Sequence, residues 1–146
     1  MDHKSLLLTT RHDFSAAHRL ANPAFDLAKN LAVYAECFRH HGHNYQVEVT
    51  VGGVPDPVSG MVVDLGSLNA TIHTAVVDLV DHHDLDVDVP ALGGIITTGE
   101  NLVQAFWRML SAVLPPGTLH RVAVAETAKN RFEYFGDDTS PEGVSR

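Results

Sequence analysis

The chain has one cysteine, Cys37, among its 146 residues. An intrachain disulfide is therefore impossible, which argues against a stapled secreted scaffold and for a cytoplasmic setting in which Cys37 is free for chemistry. No apolar run approaches the roughly 18 residues that cross a bilayer, so no membrane partner is expected. The opening residues, MDHKSLLLTT, hold only a short apolar run and no small-residue cleavage site, so no secretory leader is read there. Positive charge is also scarce. Ten lysines and arginines face 18 aspartates and glutamates, a net charge of −8. That balance argues against a nucleic-acid surface, while leaving room for a local basic pocket that holds a small anion. No low-complexity run or internal linker interrupts the chain, and residues 1–146 are expected to form one domain with its own core.

What the chain has in excess is histidine, ten in all. Histidine is the commonest metal ligand and the side chain best placed for acid–base work near neutral pH. Three of the ten crowd the stretch CFRHHGHNYQVEVTV, Cys37 to Val51. His41 and His43 lie two apart, and in a strand such residues share a face. A strand starting at His41 would aim both imidazoles at one ion and His40 the other way, with Gly42 leaving space for close backbone approach. His18, in FSAAHRL, is a third candidate if the first two strands pair. Three neutral imidazoles and one vacant position make a catalytic zinc arrangement, with the ion as Lewis acid for a hydroxyl or carbonyl. Two other readings stay open: Cys37 closing a structural zinc site, and His41 and His43 as ordinary turn histidines.

Residues 5–14 read as a strand, and residues 43–51 as a second, with Tyr45, Val47, Val49 and Val51 alternating against polar neighbours. Between them, Asn22 and Pro23 suggest a helix cap and first helical position, although an irregular excursion fits equally well. Gly52 and Gly53 with Pro55-Asp56-Pro57 suggest a turn, and GMVVD a short return strand. A helix is predicted from Asp64 as cap, with Leu65, Leu68, Ile72, Val76 and Leu79 on one face. A second begins near Thr97, where TTGE matches a capping box closed by Glu100, and ends at Pro115-Pro116. LHRVAVAET and RFEYF follow as two strands. Two strands, two helices and two strands predict an α+β domain with both helices on one face of an antiparallel sheet.

Elsewhere, Asp81 beside His82 suggests an oriented acid–base pair. Asp84, Asp86 and Asp88 read as a solvated acidic loop, since DLDVDVP lacks the glycine and closing glutamate of a calcium loop. Glu126, at the end of an apolar strand, is suited to paired N–H donors such as the edge of an amino-pyrimidinone ring, or is an exposed edge charge. Glu48 and Glu133 read as surface residues. Cys37 is either a small hydrophobe or, beside the histidines, a nucleophile or base.

FSAAHRL, CFRHHGHNY, GMVVDLGSL, VDHHDLDVDVP, TTGENL and AET occur here in the order seen in the 6-pyruvoyltetrahydropterin synthase and 6-carboxytetrahydropterin synthase family, which the chain resembles over roughly residues 8–135. The resemblance implies the tunnelling fold, a ββααββ unit assembled into trimers and hexamers with active sites between subunits. It implies a zinc-dependent lyase acting on 7,8-dihydroneopterin triphosphate. His18, His41 and His43 match the family's zinc ligands, Cys37 its catalytic cysteine, and Asp81 with His82 its charge-relay partners. Glu126 matches the glutamate that anchors the pterin, and Thr97 and Thr98 match pterin-contacting threonines, with Gly99 inserted before Glu100. Arg19, Arg39 and His40 are candidate triphosphate contacts. The four-residue step from Cys37 to His41 resembles the carboxy branch, whereas HGHNY and DLDVDVP resemble the pyruvoyl branch. The expected product is the 6-carboxy compound, on a route to 7-deazaguanines such as queuosine, with 6-pyruvoyl product as the alternative.

Overall fold

Alternating β-branched and aromatic residues make the second strand, β2 (His41–Gly53), the spine of the sheet. The computed structural model describes residues 6–136. Tyr45, Val47, Val49 and Val51 are fully buried, each such side chain contributing about 1.5–3 kcal/mol of transfer free energy. β1 (Leu6–His18) pairs antiparallel with β2 along its whole length, from Leu6 opposite Gly53 to His18 opposite His41. Both strands outrun their predicted ends: FSAAH continues β1, and Gly52-Gly53 remain in β2. Ser5, the predicted start, lies outside the described residues.

Between these strands the chain forms α1 (Leu27–Tyr34) and a 3-10 turn at Ala35–Phe38. The cap is Asp26, which accepts the Lys29 N–H, so the predicted start at Asn22-Pro23 is corrected. Asn22 instead holds a tight turn, accepting the Ala24 and Phe25 N–H groups.

GMVVD forms no strand. β1 occupies one edge of β2 and β4 (Leu119–Thr127) the other, so a return strand has no edge left to join there. Asp64 caps α2 (Leu65–Ile72) as predicted, accepting the Ser67 N–H at 2.7 Å. A π turn (His73–Val77) then leads into α3 (Asp78–Val80). The wider turn shifts the helical phase. Val77 and Val80 are buried, while the predicted stripe member Leu79 is exposed, as is Leu65 at the other end.

A two-residue strand, β3 (His83–Asp84), pairs parallel with β1, so the sheet is mixed rather than purely antiparallel. α4 (Gly99–Ser111) starts one residue later than expected, with Thr98 as cap. Asn101 is the residue it bonds, and Glu100 closes no box. β5 (Asn130–Tyr134) completes the order β3-β1-β2-β4-β5.

The helices cover one face. Leu68, Ile72, Val76, Leu102, Phe106 and Leu110 pack with Tyr45, Val47, Val122 and Val124 in one apolar cluster. The other face is polar. There Glu48 is only 7 % exposed, contrary to the surface reading, and pairs with Arg11, Arg121 and Arg131. The Arg131 guanidinium foremost, with Arg11 and Arg121, pulls its carboxyl down to about 2.

Candidate functional site

The β1–β2 register assembles the site. His18 is the direct partner of His41, and Ala16 of His43, which sets all three imidazoles on the helix-covered face at one end of the ladder. Their ligating nitrogens lie within 4.8 Å of one another, and among the described residues this is the one group of three or more His, Cys, Asp or Glu with that convergence. The ring centroids of His18 stand 4.7 Å from His41 and 5.2 Å from His43. Ala16, small and buried, leaves room beneath the rings. A Cβ on Gly42 would press 3.2 Å from the Ala16 carbonyl oxygen, so the glycine lets the strands approach here.

Two of the rings are oriented through Nδ1. His18 Nδ1 lies 3.0 Å from the Thr97 carbonyl and 3.1 Å from its hydroxyl. His41 Nδ1 lies 2.6 Å from the Arg39 carbonyl. Carbonyls only accept, so both rings carry the proton on Nδ1 and turn Nε2 into the cluster, the arrangement seen in metal-ligating histidines. Burial lowers the pKa of His18 and, less surrounded, of His43, and neighbouring imidazoles add to this. Both are thus neutral ligands near pH 7. The donor set fits a divalent metal such as zinc.

Glu126 joins this cluster from β4. Its Oε1 lies 3.6 Å from Nε2 of both His18 and His43, and Asn130 donates to its Oε2 at 3.2 Å. It is therefore not a stray edge charge. Tyr45, buried beneath, places its hydroxyl 3.3 Å from His18 Nε2. Burial, then Glu126 and Asp86, push that phenol well above its ordinary range and keep it protonated.

Thr97 is fully buried and its hydroxyl donates to Asp86 Oδ1 at 2.8 Å. Asp86 Oδ2 accepts the Arg19 N–H at 2.8 Å. Asp86 is exposed, as the solvated-loop reading has it, yet its carboxylate reaches Thr97 behind His18. Only its alternation with Asp84 and Asp88 marked it, and that pattern is shared by ordinary acidic turns. The Thr98 hydroxyl is engaged at the start of α4.

Cys37 is exposed on the 3-10 turn after α1. Its carbonyl accepts the Leu20 N–H at 2.8 Å, and the Arg19 guanidinium lies 4.8 Å over the Phe38 ring. These contacts tie the cysteine turn to the chain just past His18. Ala35, which opens the turn, has φ +51°, a left-handed conformation costly for a residue with a Cβ. The group around the imidazoles includes no cysteine, so a closed Cys–His site is not formed.

Asp81 and His82 sit apart from the triad. His82 Nδ1 lies 2.9 Å from Asp81 Oδ1, and that oxygen also accepts the Ser15 N–H at 3.0 Å. The Ser15 N–H, ahead of His82 itself, holds the Asp81 carboxyl below its ordinary range. His82 is left-handed, at φ +60°, and its N–H bonds the Ser15 carbonyl at 2.6 Å. The pair borders a groove with Asp13, Ser15, Asn44 and Gln46, which belong to the polar face of the sheet. One chain thus brings His18, His41, His43, Glu126 and Thr97 together and sets the Asp81–His82 pair on the polar-face groove, with His82 alone also bordering an open groove beside His43. His40 bonds Asp84 at 2.5 Å rather than standing free.

The model of the family described as 6-pyruvoyl tetrahydropterin synthase matches residues 7–137. Human 6-pyruvoyl tetrahydrobiopterin synthase is 39 % identical over 132 residues, covering 89 % of this chain and 91 % of the human one. The Drosophila melanogaster protein of the same name is 41 % identical over 132 residues, covering 88 % and 79 %. The solved structure of Caenorhabditis elegans 6-pyruvoyl tetrahydropterin synthase superposes with a TM-score of 0.87 at 36 % identity, covering 91 % of this chain and 96 % of that one.

Proposed function

The chain belongs to the 6-pyruvoyl tetrahydropterin synthase family of lyases, and on that footing we propose that it converts 7,8-dihydroneopterin triphosphate to 6-pyruvoyl tetrahydropterin by eliminating triphosphate. This replaces the carboxy product expected from the sequence. That expectation leaned on the four-residue step between Cys37 and His41, a feature of one loop. Relatives carrying the pyruvoyl name match across nearly nine-tenths of the chain at 39 to 41 % identity.

The observation that carries the reading is the convergence of His18, His41 and His43 beside the Glu126 carboxylate. The three imidazoles, His18 and His41 through Nε2, would hold zinc. Bound there, zinc supplies a Lewis acid that acidifies hydroxyls on the substrate side chain. Glu126 accepts paired N–H donors from the pterin edge, with Asn130 fixing its second oxygen. Asp81, ionised and donor-bonded by Ser15, takes the His82 Nδ1 proton as a hydrogen bond. That leaves His82 Nε2 to exchange protons with the substrate. Cys37 provides the second proton-transfer group, from a turn anchored beside His18.

Because the Asp81–His82 pair faces the polar side of the sheet while the triad lies on the helix side, one chain does not close the proposed site. The reading therefore includes assembly, with a second copy supplying the pair. A trimer or hexamer with sites between subunits, as the family resemblance implies, meets that requirement.

The test incubates purified protein with zinc and 7,8-dihydroneopterin triphosphate and identifies products by mass. Pyruvoyl product with triphosphate is expected. Carboxy product with acetaldehyde would overturn the branch, and unchanged substrate the enzyme itself. Cys37→Ala is expected to bind zinc at wild-type stoichiometry and lose at least about 100-fold in turnover. Zinc lost along with turnover would return the structural-site reading.

A further inference from the structure

We propose that Asp86 is a positioning residue that fixes the tautomer of His18 and so presents its Nε2 as a metal ligand, an inference that rests on the metal reading above. An ionised carboxylate has lone pairs and no proton to give. The Thr97 hydroxyl, 2.8 Å from Asp86 Oδ1, must therefore donate to it. Its proton being committed there, the hydroxyl turns a lone pair toward His18 Nδ1 at 3.1 Å. The Thr97 carbonyl, which can only accept, meets the same nitrogen at 3.0 Å. Two acceptors face Nδ1, so Nδ1 carries the hydrogen. The Tyr45 hydroxyl lies 3.3 Å from Nε2 and 3.5 Å from Nδ1 and so does not distinguish the two nitrogens.

His18 and Thr97 are both fully buried, so water does not reach the bonds between them, while Asp86 reaches in to Thr97 from an exposed turn. Asp86 is aimed by its own contacts: its N–H donates to Asp84 Oδ1 at 2.9 Å, and its Oδ2 accepts the Arg19 N–H at 2.8 Å, on the residue next to His18. One carboxylate therefore holds both the backbone beside the ligand and, through Thr97, the ligand ring. Asp86→Asn reverses the logic. With its oxygen kept on the Arg19 N–H, the amide NH2 faces Thr97, and the freed hydroxyl proton turns to His18 Nδ1. That competes with the ring's own Nδ1 proton and favours the tautomer with hydrogen on Nε2, which cannot bind metal.

The test has two readouts. Nitrogen-15 NMR of the metal-free protein reports the His18 tautomer, and competition with a chromophoric chelator reports zinc affinity. Wild type is expected in the Nδ1–H form. Asp86→Asn is expected to populate the Nε2–H form and to weaken zinc roughly 10- to 100-fold, the usual effect of losing a residue behind a ligand, whereas Thr97→Val, which keeps the carbonyl on Nδ1, is expected to keep the Nδ1–H form and to weaken zinc by a smaller factor. Thr97→Ser, which keeps the hydroxyl, is expected to behave as wild type. Thr97→Val leaves the Asp86–Arg19 bond and the carbonyl on Nδ1 intact, so its zinc affinity decides the matter if Asp86→Asn fails to fold. Folded variants that keep the Nδ1–H form and bind zinc within twofold of wild type would overturn the proposal. So would Thr97→Ser behaving as Thr97→Val. Wild type that takes up no zinc would remove the metal reading, and the tautomer measurement would still decide the role of Asp86.

Discussion

At the residue scale, several polar side chains are held in unusual states by neighbours distant in sequence. Glu48 is the clearest case. One carboxylate faces three guanidiniums from three strands and is held at about 2, against 4.5 for an unperturbed glutamate. Its folded pKa is depressed, so the stability it contributes is fully present above about pH 4.5 and is lost as pH falls toward about 2. A displacement of that size corresponds to something on the order of 3 kcal/mol. Denaturation of wild type and Glu48→Gln across this range checks it: the wild-type advantage at pH 7 should shrink steeply below pH 4.5. An advantage undiminished at pH 2.5 would refute the assignment. His82 shows the same dependence on tertiary context. Its left-handed backbone is strained, yet Asp81 and Ser15 fix it from two sides. No sequence signal accompanies that strain.

At the element scale, the helices are placed by close contacts as much as by their stripes. A Cβ built on Gly99 would lie 2.1 Å from the Phe132 ring, so only glycine lets the first turn of α4 rest on β5. Gly99→Ala is expected to cost about 1–3 kcal/mol by overpacking, read as a lower denaturant midpoint at unchanged slope. An unaffected midpoint would mean that Phe132 swings aside freely. Much of the element order was legible. The alternation from Tyr45 to Val51 marks β2, and Asp64 three residues before Ser67 marks the start of α2. The cap of α4 was misplaced by one residue because Thr97 and Thr98 are equivalent locally. What separates them is His18, 79 residues away in sequence, which takes Thr97. GMVVD carries the pattern of a strand, but pairing depends on a vacant edge, and β2 has none.

At the scale of the whole molecule, the triad ties the ends of β1 and β2 that lie farthest from Leu6 and Gly53. A metal that binds only the folded state should therefore stabilise the whole domain. At zinc one hundred times its dissociation constant, linkage gives about 2.7 kcal/mol, or roughly 5–10 °C in Tm for a chain of this size. Chelation should reverse the gain, and His41→Ala should abolish it. A Tm indifferent to zinc would count against the metal centre. Among the described residues the sheet leaves one face uncovered by helices, lined by Glu48, its arginines and Glu133. The proposed assembly predicts a native mass that is a multiple of three chains. A stable monomer that retained full turnover would show that Asp81–His82 needs no second copy.

The sequence by itself determined the α+β class, the strand spine, two helices with the middle of the first one's buried face, and the short list of histidines, because these follow from local periodicity and from the step of two that puts His41 and His43 on one face. Only the tertiary structure decided that His18 stands opposite His41, that Thr97 serves a ring rather than a helix, that the exposed Asp86 is aimed at Thr97, and that Glu48 is buried among arginines rather than solvated. Those outcomes depend on which distant donors and acceptors the packed sheet brings within about 3 Å, because hydrogen bonds form only at that range and opposite charges attract most strongly there.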